Sequence, residues 1–189
     1  MFRRLRIAVL VPVLALLLAA CAGGPDGGAA PSDLVVVAGA SGRTGQFVLR
    51  ELQARGIAYR PLTRSRDATL ERLGPDAAAE AWVEVDVRDP AAVDAAVAGA
   101  GAIISVIGTR EVRGPNSAEF VDYGGVKNLV DAARRHGVRH MVLLTAIGVT
   151  DPAHPLNKAA NNTLAWRFRG EEYLRASGIP YTIVRPAGL

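Results

Sequence analysis

The chain has 189 residues, half of them apolar, which suits one globular domain with an N-terminal appendage. Its formal charge of +4 comes largely from Arg3, Arg4 and Arg6; beyond residue 20, 19 basic residues face 18 acidic ones, which argues against a basic nucleic-acid surface. Cys21 is the only cysteine and the three histidines show no ligand spacing, so neither an intrachain disulfide nor a Cys/His metal centre is expected.

The first elements in chain order read as a leader. MFRRLR is a positively charged start, and residues 7–20 form an apolar run of 14. A spanning helix needs about 20 apolar residues, so this run fits the core of a signal peptide instead. LAAC, residues 18–21, resembles the lipobox of bacterial lipoproteins. That resemblance implies a lipoprotein-type signal peptide over residues 1–20, lipidation of Cys21, export, and attachment to a bacterial membrane through the lipid alone. AGGPDGGAAPS, residues 22–32, is rich in Gly, Pro and Ala, so residues 21–32 read as a flexible tether. A single folded domain is then expected over residues 33–189. The alternative is a misassigned N-terminal extension on a cytoplasmic domain.

From residue 34 short apolar runs alternate with helical stretches. LVVVA (34–38) is a buried strand by its β-branched content. Residues 43–56 place Phe47, Val48 and Leu52 at helical spacing and stop at Gly56. Strands follow at 57–63, 81–87, 101–108, 140–148 and 180–186. Helices are expected at 67–74, 89–99, 117–137 and 162–178. The helix at 89–99 opens on an Asp cap with Pro at its first position. Strict alternation of this kind predicts an α/β fold: a doubly wound parallel sheet of about six strands in a single Rossmann domain, in the order 3-2-1-4-5-6.

GASGRTG places glycines at Gly39, Gly42 and Gly45 between the first strand and the first helix. Gly39 permits the sharp turn, Gly42 lets backbone approach a diphosphate, and Gly45 lets the helix pack close to the sheet. Ser41, Arg43 and Thr44 complete the loop, whose helix N-terminus favours an anion. An NAD site wants an acid about 20 residues past the loop, for the ribose hydroxyls. Arg64 stands there instead, in LTRSRD. With Arg43 and Arg66 it could clamp a 2′-phosphate, which favours NADP over NAD. The competing possibility is solvated arginines in an Arg-rich chain.

These stretches resemble the atypical short-chain dehydrogenase/reductases, in the NmrA-like, NAD(P)H-binding group that includes biliverdin/flavin reductases. VDV (85–87), SVIGTR (105–110), DYGGVKNLVDAA (122–133) and EEYLRASGIPYTIVRPAGL (171–189) carry the rest of the resemblance. It implies that Asp86 and Val87 lie by the adenine and that Ser105, Val106, Ile107 and Thr145 line the nicotinamide. It also implies hydride transfer to an unknown small or planar acceptor of quinone or flavin type.

Tyr123 and Lys127 are the only Tyr-x-x-x-Lys pair, but they precede the fifth strand, whereas the family's catalytic pair follows it. After that strand Thr163 and Arg167 occupy the expected Tyr and Lys positions. The usual proton relay is therefore missing, and Thr145 is the remaining weak catalytic candidate. Either solvent supplies the proton, or the chain is a non-catalytic NADP(H)-binding sensor, assembly factor or scaffold.

Overall fold

The computed structural model describes residues 32–187. The leader, most of the tether and Cys21 lie outside the described residues. Six parallel strands are ordered β3-β2-β1-β4-β5-β6, the order read from the sequence. They are β1 (Val35–Ala38), β2 (Tyr59–Thr63), β3 (Val83–Glu84), β4 (Ala102–Ser105), β5 (His140–Leu144) and β6 (Tyr181–Val184). The helices are α1 (Arg43–Ala54), α2 (Arg66–Leu73), α3 (Pro90–Val97), α4 (Val126–Arg135), α5 (Pro155–Ala159) and α6 (Thr163–Arg175).

The sheet is apolar on both faces, as a parallel sheet wound by helices must be. In β1, Val36 and Ala38 face one core, which α3, α4 and α6 close with Val93, Val97, Leu129 and Leu174. Val35 and Val37 face the other, closed by Leu49 and Leu52 of α1 together with Trp82. Leu129, Met141 and Leu174 are fully enclosed. Truncating one of them to alanine costs about 2–5 kcal/mol.

Helix starts follow local chemistry. Asp89 accepts from the N–H groups of Ala91 and Ala92 at 2.9 and 3.2 Å, with Pro90 leading α3. Ser65 caps α2 through Ala68 N–H at 3.3 Å.

Three features differ from the expected elements. The helix expected from residue 117 opens with a wide π-helical segment, Glu119–Gly125, before α4 begins. Gly125 lies so close to β3's extension that a Cβ there would come within 2.8 Å of Val87 Cγ2. Next, α5 is an additional short helix, joined to α6 through Asn161 and Asn162 in the left-handed region, at φ 48° and 61°. Finally, β3 pairs over only two residues, because it is an edge with a partner on one side. Past it, a single bond from Val85 N–H to Thr63 O, 2.7 Å, extends the contact.

Candidate functional site

The strand order reverses between β1 and β4, which opens a crevice at their carboxyl ends. Ala38 pairs with Ser105, so the chain leaving β1 at Gly39 meets the chain leaving β4 at Val106. Gly39 has φ +81°, and a Cβ on it would sit 2.9 Å from the Val106 carbonyl carbon and oxygen. Only glycine fits this turn. Gly42 N–H then bonds to Gly39 O at 3.0 Å, and Gln46 Nε2 holds Ala40 O at 2.9 Å. Gly45 is buried where a Cβ would stand 2.3 Å from Gly39 O. Gly42 is the cap residue of α1 and has no side chain to occupy the helix's first N–H groups. A curled main chain with free amides at a helix start fits a diphosphate.

Two adjoining cavities flank this loop. The first, about 390 Å³, lies over β1–β3 and is lined by Gly39, Ser41, Gly42, Arg64, Asp86 and Val87, with Val106 and Ile107 at its far side. The second, about 550 Å³, lies over β4–β6 and is lined by Gly42, Arg43, Thr44, Val106, Ile107 and Thr145 among others. The two share Gly42 and the segment 106–110. Two expected residues line neither. Gly45 serves packing beneath the loop, and Ser105 is fully buried with its Oγ lacking a hydrogen-bond partner. The expected arginine clamp is also split: Arg64 lines the first cavity, Arg43 the second, and Arg66 neither.

The first cavity's wall includes Arg88, which the sequence did not single out. Arg88 grips Asp86 with a forked pair, Nε to Oδ1 at 2.9 Å and Nη2 to Oδ2, and its Nη1 donates to Pro115 O at 2.8 Å. The Arg88 hydrogen bond holds the Asp86 carboxyl below its ordinary range. Arg72, reaching from α2, donates to Ser41 O at 2.5 Å.

The second cavity rests on two buried carboxylates. Asp122, on the π-helical segment, accepts from Arg167 Nε at 2.7 Å and from Thr109 N–H at 3.2 Å, directly beneath the segment both cavities share. Burial pushes its carboxyl up, with the Arg167 charge and hydrogen bond only partly opposing. Glu171 on α6 is wholly enclosed and binds Arg185 Nε at 2.9 Å, Arg175 Nη2 at 3.1 Å and Thr145 Oγ1 at 2.7 Å. Burial would raise the Glu171 carboxyl, but hydrogen bonds from Arg185 and Thr145 outweigh it, and it lies below the ordinary range.

The alternative proton donors are committed elsewhere. Thr145 gives its hydroxyl proton to Glu171, so its oxygen can only accept from the cavity. Thr163 and Arg167 line the second cavity, but Thr163 Oγ1 donates to Ala160 O at 2.5 Å and Arg167 is held by Asp122. Tyr123 and Lys127 line neither cavity. Tyr123 stacks on Trp166 at 5.9 Å between centroids, and Lys127 pairs with Asp131 at 2.7 Å. His154, which the sequence did not mark, lines the second cavity; its Nδ1 accepts from Leu156 N–H at 3.2 Å, leaving Nε2 to carry the proton of the neutral ring.

The family model described as NAD(P)H-binding matches residues 39–189. The chain belongs to that NAD(P)H-binding family. It is 36% identical over 175 residues to an uncharacterised chloroplastic protein of Arabidopsis thaliana, covering 82% of this chain and 53% of that one. It is 33% identical over 192 residues to sanguinarine reductase of Eschscholzia californica, covering 82% and 69%. The chain thus spans about half the length of the first relative and about two thirds of the second. Among solved structures, ChuY, an anaerobilin reductase from Escherichia coli O157:H7, superposes with a TM-score of 0.66 at 22% identity, covering 82% of this chain and 73% of that one, which shows the shared fold.

As a member of this NAD(P)H-binding family the chain takes a nicotinamide dinucleotide as its cofactor. The expectation of an exported bacterial lipoprotein held at a membrane through Cys21 is corrected. Plant relatives that match over four fifths of the chain are chloroplastic proteins. Among the described residues no helix is long and apolar enough to cross a membrane. The lipobox reading drew only on residues 1–21, a local pattern of charge, apolar run and small residues that carries no information about the domain behind it.

Proposed function

We propose that the chain is an NADPH-dependent reductase of small, planar, electrophilic acceptors. The observation that carries the NADP preference is Arg64: a guanidinium on the wall of the adenosine-side cavity, at the end of β2, where an NAD site would place a carboxylate. Arg72, beside Ser41, brings a second guanidinium to the same end of the loop. Bidentate arginine contacts suit a phosphate far better than a bare hydroxyl pair.

In this reading the cofactor, when bound, supplies a hydride from its nicotinamide. The loop amides from Gly39 to Gly45 hold the diphosphate. Thr145 Oγ1, its proton fixed on Glu171, accepts a hydrogen bond and so orients a donor group facing it. The acceptor takes two electrons with the hydride at its electrophilic atom and one proton at the atom receiving the displaced electron pair. Water supplies that proton, because the Thr145 hydroxyl is committed to Glu171 and Arg167 to Asp122.

Titration of the protein with NADPH and NADH, followed by NADPH oxidation with menadione or flavin mononucleotide, tests the reading. Tighter binding of NADPH and acceptor-dependent oxidation are expected. Equal affinities would remove the NADP assignment. The committed donors Thr163 and Arg167 favour a second reading, a non-catalytic NADP(H)-binding protein, which NADPH binding without oxidation by any such acceptor would select.

A further inference from the structure

The second cavity has an uneven charge. Among the described residues no carboxylate lines it, while Arg43, Arg110 and Arg167 do. Arg167 is neutralised by Asp122 underneath, whose oxygens face Arg167 and Thr109 instead of the cavity. Arg43 and Arg110 are exposed and have no ion-pair partner among the described residues. Arg110 stands on the segment shared with the first cavity. Around these cations the wall is apolar, with Ile147 60% and Leu156 52% exposed at its edge. Isolated apolar side chains on a surface need no explanation, but two beside a cavity with unpaired guanidiniums form an amphipathic wall.

We infer that the acceptor is an amphipathic anion: a planar ring system lying against Ile147 and Leu156, with a carboxylate, sulfonate or phosphate group directed to Arg110 and Arg43. This rests on the reductase reading above and narrows it to an acidic acceptor. A diphosphate seated on the loop amides leaves this preference intact. Arg43 does not line the first cavity, and the loop provides main-chain donors of its own. A cationic acceptor finds no carboxylate on this wall and is disfavoured by two unpaired guanidiniums.

The experiment uses the full chain saturated with NADP+, so that no turnover occurs, and measures binding of matched anthraquinones by calorimetry. The probes carry a 2-sulfonate, a neutral 2-hydroxymethyl group, or a 2-(trimethylammonio)methyl group. The sulfonate should bind about tenfold more tightly than the neutral probe and the ammonium most weakly, with the spread shrinking in 0.5 M salt. Arg110→Glu, a change at an exposed side chain, should invert the order, with NADP+ affinity measured separately on the same variant. Equal binding of the three probes, or an order that Arg110→Glu leaves unchanged, overturns the inference. NADPH oxidation with each probe is then followed independently. Oxidation without charge preference defeats this inference alone, whereas charge preference without oxidation supports it and defeats the reductase reading.

Discussion

The two cavities meet at the same crevice but are made of different material. The adenosine side is shaped by main chain: Gly39 against Val106, Gly45 against Gly39 and Ala40, with no room for a Cβ at either glycine. The acceptor side is held from below by buried carboxylates, Glu171 on the Thr145 hydroxyl and Asp122 on the Thr109 N–H. A surface made of backbone fails abruptly when altered, because planar peptides cannot rearrange around an added atom. A surface held by ion pairs fails by degrees and responds to pH.

That contrast can be broken or sharpened experimentally, beginning with the largest effect. Gly45→Val should abolish dinucleotide binding outright, since even its Cβ would lie 2.3 Å from Gly39 O. Retention of NADPH affinity by a folded Gly45→Val protein would show that the loop is not rigid. Glu171→Ala should lower stability by about 2–3 kcal/mol, below the full cost of breaking a buried pair because its arginine partners are one-third exposed. Thermal unfolding reads this directly.

The same residue sets an acid response. Glu171's carboxyl lies below its ordinary value in the fold, so its stabilisation is whole above the unfolded value, about 4.3, and is lost as pH falls through the folded one. Asp122, raised by burial, acts in the opposite sense: its contribution worsens as pH rises. Glu171 therefore contributes to acid unfolding alongside Asp86, Asp94 and Asp131, which are also held low, and Glu171→Gln should flatten part of the stability profile below about pH 4.

A smaller effect is expected at Arg64. Arg64→Ala should weaken NADPH binding by about 1.5–3 kcal/mol, the worth of a hydrogen bond to a charged group, and leave NADH affinity nearly unchanged. Equal losses for both would mean that Arg64 steadies the loop instead of reading the 2′-phosphate. The smallest is Lys127→Ala. Its partly exposed pair with Asp131 is worth about 0–1 kcal/mol, and dinucleotide affinity should not move. Any loss of reductase activity in that variant would restore the Tyr123–Lys127 pair to the chemistry.

What the sequence disclosed follows the range of its signals. The strand order and the three-glycine turn were legible because periodicity and glycine placement are local. The position of Arg64 just past β2 was legible because a βαβ unit fixes its distance from the loop. Ser105 was misjudged: its pairing with Ala38 and Leu143 places its side chain in the core, while the following residues, Val106 and Ile107, reach the cavity wall. The Arg88–Asp86 fork carried no periodic mark. The Glu171 cluster joins residues 14 and 26 positions apart, across β5, β6 and α6, and no window of sequence displays it. α5, at five residues, is too short for a helical period to emerge.

Gly39 and Gly45 leave protein engineers little freedom at the diphosphate itself, since no other amino acid can stand there. Arg64 is different, because it projects from the rim at the end of β2 and supports none of the turn's own bonds. Coenzyme choice in this scaffold should thus be exchangeable by redesigning that rim, leaving the anchoring of the shared portion of both coenzymes untouched.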